Sequence, residues 1–400
     1  MDKVMGPLYV TACAAVSALG RGTAATLEAL QEGRSGLRRC DFEHAELDTF
    51  IGRVQGLESE RVAMAHYDCR NNRLAQLALQ QDDFEEAVAH ARERYRPHRI
   101  GVFIGTSTSG IQETERAYRN RDPETGALPS GFHYGDTSNL ASVADYVRRY
   151  LNLRGPLMSI STACSSSAKV FAVAHRFMQA GLCDAAVVGG VDSLCLSTLY
   201  GFNSLELLST QPCRPADRQR DGISIGEAGG FALLEQASAA SRGTATVALL
   251  GYGESSDAHH MSSPHPEGTG ARLAMERALH YAGLEPAAID YINLHGTATV
   301  TNDLMEDQAL CALFGTGVPC SSTKGWTGHA LGAAGLMEAL ICWLSIEHDL
   351  VPGSLNTREL DPAINSNVVL QNRQQTVRRV LSNSFGFGGS NCSLIFGRIG

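Results

Sequence analysis

The sequence SISTACSSSA at residues 159–168 is the clearest indication of the fold class, because it joins a short apolar run to a segment with helical periodicity. The run Leu157–Ser161 is typical of a buried strand. The next segment, Ala168–Ala180, spaces its apolar side chains as one face of a helix requires. Serines are favoured N-cap residues, so the helix is predicted to begin beside Cys164. Cys164 is therefore predicted to lie at the turn between strand and helix.

The segments on either side of this turn alternate in the same way. Apolar and β-branched runs predict strands at Ile100–Ile104 and Ala185–Gly189, and residues 139–151 have the pattern of a helix. Such alternation is typical of an α/β fold with largely buried sheets.

Two segments of the chain have the same strand–helix pattern, which suggests an internal duplication. Each is a strand followed by a helix: Leu8–Ser17 with Thr23–Glu32, and Thr246–Ser256 with Gly270–Ala282. A seam is predicted near residues 240–245, where small and polar residues prevail. We therefore expect an N-terminal half at residues 1–242, which carries Cys164, and a C-terminal half at residues 243–400.

Composition excludes several classes of function. The 400 residues are 44% hydrophobic and 19% charged, which is enough apolar material for a sizeable core. With 33 Lys and Arg against 42 Asp and Glu, the net charge of −9 argues against nucleic-acid binding as the main role. No apolar run reaches the roughly 20 residues of a membrane span. The 11 cysteines, without a C-x-x-C pair, favour a reducing cytoplasm over disulfides or structural zinc.

The N-terminus allows two interpretations. Lys3 and the apolar run Val4–Leu19 resemble a secretory signal peptide. Asp2 makes the positive region of such a peptide poor, however, and Leu8–Thr11 is typical of a buried first strand. We therefore expect a strand, and a cytoplasmic protein.

Three turns rich in small residues carry side chains suited to covalent catalysis. Cys164 would lie at a helix N-terminus, which stabilises a thiolate, although buried free cysteines are more often inert. His295 follows the predicted strand Tyr291–Leu294, and His329 lies in a glycine-punctuated loop before a helix. Each histidine alone is more typical of a structural residue. One cysteine and two histidines in such turns together indicate nucleophilic chemistry.

Two further segments could suggest a cofactor. Lys324 could form a Schiff base with pyridoxal phosphate, but nothing else in the chain supports that cofactor. The closing sequence FGFGGSN at residues 385–391 lacks the spacing of a dinucleotide-binding motif. It is more typical of a loop whose backbone N–H groups reach an oxyanion.

Seven segments, in order along nearly the whole chain, are similar to those of one enzyme family. They are VTACAAVSALG (10–20), STACSSSA (161–168), CRPADRQRDGISIGEAGG (213–230), DAHHMSSP (257–264), NLHGTAT (293–299), STKGWTGHALGAAG (322–335) and NSFGFGGSN (383–391). The chain resembles the elongating β-ketoacyl-acyl-carrier-protein synthases of the thiolase superfamily. The resemblance implies the thiolase fold, a duplicated α/β core layered α-β-α-β-α. It implies a decarboxylative condensation of a cysteine-bound acyl chain with a malonyl group on acyl carrier protein.

The resemblance also implies a role for each candidate residue. Cys164 would accept the acyl group, His295 and His329 would serve the malonyl half-reaction, and Lys324 would support them electrostatically near Glu306. The implied substrate-binding residues are Thr297 and Thr299 for the phosphopantetheine arm, Thr108 as the cap of the acyl pocket, Phe202 and Glu306. The implied oxyanion and gating residues are Phe387, whose N–H would pair with that of Cys164, and Phe385. Neither a metal nor a redox cofactor is expected.

Partners and subgroup follow from the same resemblance. The expected partners are acyl carrier protein and either a second copy or a chain-length-factor-like homologue. Because carrier proteins are acidic and this chain is net negative, a local basic patch is predicted. Its candidate residues are Arg70, Arg73, Arg119 and Arg121. The hydroxyl-rich loop Gly105–Gly110 and the sequence HGTATVTND (295–303) resemble synthases of aryl-polyene-type pathways. The resemblance therefore implies either fatty-acid biosynthesis or an aryl-polyene or polyketide-like pathway. The alternative is a non-catalytic chain-length-factor-like subunit, which the presence of Cys164 disfavours.

Overall fold

A computed structural model describes residues 4–236 and 245–399 as a mixed α/β protein. The strands are β1 (Leu8–Ser17), β2 (Gly20–Arg21), β3 (Leu37–Arg39), β4 (Phe50–Gly52), β5 (Ile100–Gly105), β6 (Leu157–Ile160), β7 (Ala185–Asp192), β8 (Ile225–Gly226), β9 (Ala228–Gln236), β10 (Val247–Ser256), β11 (Tyr291–Asn293), β12 (Pro319–Ser321), β13 (Leu350–Val351), β14 (Asn367–Val368), β15 (Arg373–Gln374), β16 (Arg379–Gly386) and β17 (Ser390–Arg398).

The helices follow the alternation that the sequence predicts. They are α1 (Thr23–Glu32), α2 (Arg70–Leu79), α3 (Phe84–Tyr95), α4 (Ile111–Arg119), α5 (Ser142–Tyr150), α6 (Ser166–Gln179), α7 (Leu196–Ser204), α8 (Thr269–Ala282), α9 (Val300–Phe314), α10 (Lys324–Thr327) and α11 (Ala334–His348). Short 3₁₀ turns lie at Leu57–Ser59, Ala65–Tyr67, Pro97–Arg99, Pro286–Ala288 and Leu331–Ala333.

The sheet shows the predicted duplication directly. In the N-terminal half the strand order is β1-β9-β7-β5-β6, with two antiparallel pairings followed by two parallel ones. In the C-terminal half the order is β10-β17-β16-β11-β12, with the same succession of pairings. β1 and β10 pair at Leu8 and Leu249 and so join the two halves. The predicted boundary at residues 242/243 lies outside the described residues.

Helices cover both faces of each half-sheet and form the five predicted layers. α6 and α11 lie between the two half-sheets, where Phe171 of α6 packs edge-on against Phe396 of β17 at 5.6 Å between ring centroids. α2, α3 and α5 cover the outer face of the N-terminal half, and α8 and α9 cover that of the C-terminal half. The duplicated α-β-α-β-α core predicted from the sequence is confirmed.

The apolar run Gly335–Leu344 belongs to α11, and its burial explains its composition. A helix enclosed between two sheets is apolar around its whole circumference, and nearly all residues of α11 are buried. Across the described part of the chain, no helix combines the length and the apolar character that a membrane crossing requires. The N-terminal run likewise forms strand β1, as the sequence predicts.

Candidate active site

Cys164 occupies the predicted elbow between β6 and α6. Ala163 has a φ of 52°, a left-handed conformation that is uncommon for a residue with a side chain. Ser166 fixes the turn, because its hydroxyl accepts from the N–H of Thr162 at 2.9 Å and donates to the carbonyl of Ala163 at 2.6 Å. The turn presents the Cys164 thiol, 5% exposed, at the end of the strand.

The structure brings the three predicted catalytic side chains together. The Nε2 atom of His329 lies 3.1 Å from the Sγ atom of Cys164. The rings of His295 and His329 lie 5.5 Å apart and nearly perpendicular. One ligating atom from each of the three residues lies within 4.8 Å of the others. Thiolate and imidazole are ligands that zinc prefers, so these three side chains could also hold such a metal ion.

Lys324 lies behind the histidines and is fully buried. Its ammonium is 3.4 Å from Nδ1 of His295, donates to the carbonyl of the same residue and pairs with Glu338. The sequence placed Lys324 near Glu306, whereas its carboxylate partner is Glu338. Glu338 is a functional residue that the prediction missed, and the signal for it was a single carboxylate inside the apolar run Gly335–Leu344.

The environment keeps both imidazoles neutral. Burial, with the nearby charge of Lys324, lowers the pKa of His295 and of His329 well below the usual 6.5. An ammonium can only donate, so Nδ1 of His295 must accept, and the proton of the neutral ring is left on Nε2. His295 is therefore fixed as an N–H donor at Nε2.

The nucleophile itself is less acidic than the helix N-terminus predicts. Burial raises the pKa of the Cys164 thiol to about 11, while the charge of Lys324 and the backbone N–H of Phe387 act in the opposite direction. The expected stabilisation of a thiolate is outweighed because the sulfur is almost completely removed from water. The contact from Phe387 places its N–H beside the sulfur, where an acyl oxyanion would form.

A cleft of about 790 Å³, open to solvent, leads to the thiol. Its lining includes most of the predicted site: Cys164, His295, His329, Thr297, Thr299, Phe202, Phe385 and Phe387. The Thr297 and Thr299 hydroxyls are 2.9 Å apart, and the rings of Phe202 and Phe387 are 5.8 Å apart. The loop residues Asp257 and Ser262–Pro264 also line the cleft. They belong to the DAHHMSSP motif, to which the sequence analysis assigned no role in the site.

Two predicted substrate-binding residues do not reach this cleft. The Glu306 carboxylate accepts the backbone N–H groups of His295 and Gly296 at 2.9 and 2.8 Å, so it holds the histidine turn and does not bind substrate there. Burial raises its pKa to about 7. Thr108 is buried, and its hydroxyl donates to Asp192 at 2.8 Å. Its role as cap of an acyl pocket stays a prediction.

The predicted basic patch for a carrier protein is wrong at its first residue. Arg70 is only 5% exposed, because its guanidinium forms two hydrogen bonds with the buried carboxylate of Glu227. Arg73 is paired with Asp68 and Arg119 with Glu43, whereas no ion pair of Arg121 occurs within the described residues. Of the four arginines, Arg121 remains as an exposed, unpaired cation.

Comparison with known proteins gives the family. Models of the β-ketoacyl synthase N-terminal domain and C-terminal domain match residues 5–240 and 246–358. The 3-oxoacyl-[acyl-carrier-protein] synthase 2 of Vibrio cholerae is 32% identical over 412 residues, which cover 98% of this chain and 99% of that protein. The mitochondrial 3-oxoacyl-[acyl-carrier-protein] synthase of Arabidopsis thaliana is 33% identical over 98% of this chain and 93% of its own length.

Solved structures similar to this chain support the same family. A ketosynthase from Xenorhabdus doucetiae, determined in complex with its chain length factor, is 38% identical with a TM-score of 0.88 and full coverage of both chains. The ishigamide ketosynthase/chain length factor structure matches with a TM-score of 0.88 and 27% identity over 99% of this chain and 100% of that one. The chain therefore belongs to the β-ketoacyl synthase family and is a condensing enzyme of the acyltransferase class, as its sequence predicts.

Proposed function

We propose that this enzyme condenses an acyl group held on Cys164 with a malonyl group carried by acyl carrier protein, with loss of CO₂. The observation that carries the proposal is the thiol of Cys164 within reach of two neutral imidazoles, at the end of an open cleft. A neutral imidazole can donate one N–H to a developing negative charge, and two can stabilise an enolate. Side chains and backbone of this chain can carry out this reaction without a metal or redox cofactor.

The first half-reaction transfers the acyl group. The Cys164 thiolate attacks the thioester carbonyl of the incoming acyl-carrier, and the N–H groups of Cys164 and Phe387 stabilise the oxyanion. The carbon–sulfur bond to the carrier then breaks, and the released carrier thiolate takes up the proton that the Cys164 thiol gave up when it became the nucleophile. Thr297 and Thr299 present adjacent hydroxyls on the cleft wall, where they can hold the polar phosphopantetheine arm.

The second half-reaction forms the carbon–carbon bond. The malonyl carboxylate loses CO₂, and its bonding electrons form an enolate whose oxygen accepts N–H bonds from His295 and His329. Phe385 packs against His295 at 5.8 Å between ring centroids and provides a poorly solvating wall beside the departing carboxylate. The enolate carbon attacks the acyl carbonyl and the bond to the Cys164 sulfur breaks. The released thiolate takes up a proton from solvent, to which the cleft is open, and the free thiol is restored.

Intact-mass analysis tests this proposal against a non-catalytic chain-length-factor-like role. Incubation with an acyl-carrier thioester should add one acyl group to Cys164, and added malonyl-carrier should remove it as a β-ketoacyl product. The Cys164→Ala variant should neither be acylated nor condense. Cys164→Gln should still decarboxylate malonyl-carrier, because the histidines remain. An unmodified wild-type Cys164 in the presence of turnover, or no turnover at all, would contradict the proposal.

We also propose that the enzyme acts in an aryl-polyene-type pathway as one subunit of a dimer with a second ketosynthase-fold chain. β6 forms one of the two edges of the main sheet, β14 being the other, and Met158 of β6 is 39% exposed. Unpaired edge strands invite pairing with another chain. The similar ketosynthase from Xenorhabdus doucetiae was solved with its chain length factor, which supports a partner of that kind.

Light-scattering mass measurements test the dimer. The mass is measured for the chain alone and for the chain co-expressed with a chain-length-factor-like homologue. A doubled mass in the first sample identifies a second copy as the partner, and a doubled mass in the second sample alone identifies the homologue. Met158→Glu on the edge should give a monomer, whereas Leu182→Glu, at a side chain 51% exposed outside the edge strand, should not. A wild-type chain that stays monomeric with and without the homologue would refute the proposal. Assay of chain lengths with the co-expressed homologue then tests the pathway, since a polyene pathway requires several successive extensions.

A further inference from the structure

A second buried carboxylate, Asp192 at the end of β7, lies outside the reaction steps described above. Its side chain is fully buried, and five donors converge on it. They are the Thr106 hydroxyl (2.7 Å), the Ser107 N–H (2.8 and 3.0 Å), the N–H and hydroxyl of Thr108 (2.8 Å each) and the Gly332 N–H (2.6 Å). No arginine or lysine in the described part of the chain forms an ion pair with Asp192. Burying a carboxylate without a cation is costly, so an arrangement of this kind needs its hydrogen bonds to be complete.

The two oxygens of Asp192 connect two different turns of the active site. Oδ1 takes the donors of residues 106–108, and Ser107 of that turn donates in addition to the carbonyl of Ala163, next to the nucleophile, at 3.3 Å. Oδ2 takes the N–H of Gly332, three residues beyond His329. Asp192 thus lies between the backbone that precedes Cys164 and the backbone that follows His329.

The approach of these turns is close enough to require glycine. A Cβ atom at Gly332 would lie 2.7 Å from Oδ2 of Asp192 and 2.6 Å from the Ser107 hydroxyl. Backbone and side-chain atoms there are in contact without free space, so a change on either side must move the other. The same two turns carry the His329 imidazole and the Cys164 sulfur, which are 3.1 Å apart.

We propose that Asp192 is a positioning residue, which holds the Cys164 turn and the His329 turn at their working separation. The inference rests on the proposed function of these two residues. Asparagine at this position has one acceptor oxygen and directs an NH₂ group at N–H donors, so several of the bonds would be lost. Displacement of reacting groups by about 1 Å can cost ~10²-fold in rate.

The test compares Asp192→Asn with a matched control. Both Cys164 acylation and malonyl-carrier decarboxylation should fall by roughly 10- to 100-fold in kcat per folded molecule, with KM changed less than about 3-fold, because the cleft walls are intact. Gly332→Ala places a methyl group against Asp192 and Ser107 from the His329 turn. It should therefore show the same loss of kcat with little change in KM. The control is Asp307→Asn, since Asp307 is also buried and accepts backbone N–H groups, from Asn365 and Ser366, away from the cleft. It should lose stability but keep its kcat.

Thr106 keeps the proposal testable if Asp192→Asn does not fold. Thr106→Val removes one donor and should lower kcat several-fold with KM unchanged, and Thr106→Ser should restore it. A wild-type kcat in folded Asp192→Asn, a raised KM at unchanged kcat, or an equal kcat loss in Asp307→Asn would overturn the positioning role. These outcomes are measured relative to an active wild-type enzyme, whereas failure of the proposed function would show as a wild type that neither acylates Cys164 nor decarboxylates malonyl-carrier.

Discussion

The alkylation of Cys164 at different pH values measures how burial and charge set the reactivity of the nucleophile. Burial raises the pKa of this thiol to about 11, so at pH 8 about one molecule in 10³ carries a thiolate. A free thiol with a pKa near 8.5 is ionised to about a quarter at that pH. We therefore expect iodoacetamide to modify Cys164 roughly two orders of magnitude more slowly than a small thiol at pH 8. The rate should rise about tenfold per pH unit to about pH 10.

Two variants of the buried ion pair should move this profile in opposite directions. Glu338→Gln removes a negative charge that raises the pKa of Cys164, so its thiol should react faster at pH 8. Lys324→Ala removes the positive charge that lowers the same pKa, so its thiol should react more slowly. Lys169→Ala is the control, because Lys169 pairs with Glu254 at 3.3 Å and does not line the cleft.

The assay must resolve the Cys164 peptide by mass spectrometry, since the chain contains 11 cysteines. Rates are taken at equal iodoacetamide concentration from pH 7 to pH 10 for wild type and the three variants. A wild-type rate that levels off below pH 9, or a shift of both ion-pair variants in the same direction, would refute the reasoning.

Three further predictions concern stability and the two half-reactions. Arg70→Ala leaves the Glu227 carboxylate buried without its partner, so the free energy of unfolding in urea should fall by about 3–5 kcal/mol while KM for the carrier is unchanged. His295→Ala should decarboxylate malonyl-carrier ~10²–10³-fold more slowly and still accept the acyl group, whereas His329→Ala should be slow in both assays because its Nε2 contacts the Cys164 sulfur. The pKa of His329 is lowered in the folded state, so its contribution to stability is complete above about pH 6.5 and lost as pH falls. The difference in unfolding free energy between wild type and His329→Asn should therefore shrink from pH 7.5 to pH 5, and a constant difference would contradict a neutral buried imidazole.

The sequence predicted those parts of the site that depend on local order. The strand–turn–helix pattern around Cys164 and the small residues around His295 and His329 are properties of neighbouring residues, and the structure confirms them. The family and its condensing chemistry were also accessible, because the seven motifs are contiguous segments. Their order along the chain is matched by the family models at residues 5–240 and 246–358.

The errors arise where a side chain's environment is made by distant residues. Arg70 lies in a segment with the composition of an exposed basic surface, but its partner Glu227 is 157 positions away and buried. The ion-pair partner of Lys324, Glu338, was missed because the two residues come into contact only once α11 packs between the half-sheets. Asp192 gave no signal at all, since its donors come from two loops that are remote in sequence.

The duplication explains why residues from both halves meet at one cleft. By position in the two equivalent sheets, β5 corresponds to β11, β6 to β12 and β7 to β16. The Cys164 elbow follows β6 and leads into α6. The loop with Lys324 and His329 follows β12 and leads into α11, so it is the equivalent loop of the C-terminal half. In the same way, Asp192 at the end of β7 corresponds in position to the start of the Phe387 loop, which follows β16.

Because α6 and α11 pack against each other between the half-sheets, the turns that lead into them are brought face to face. Both of these turns contain a residue other than glycine at positive φ, Ala163 at 52° and Leu331 at 52°, and so does the His295 turn that leads into α9, with Ala298 at 67°. Conformations of this kind cost of order 1–3 kcal/mol each and persist only where the surrounding packing enforces them. The pairing of two copies of one fold thus supplies both the opposed turns and the rigid core that holds them in these conformations. A nucleophile from one half and its two histidines from the other are the chemical consequence of that symmetry.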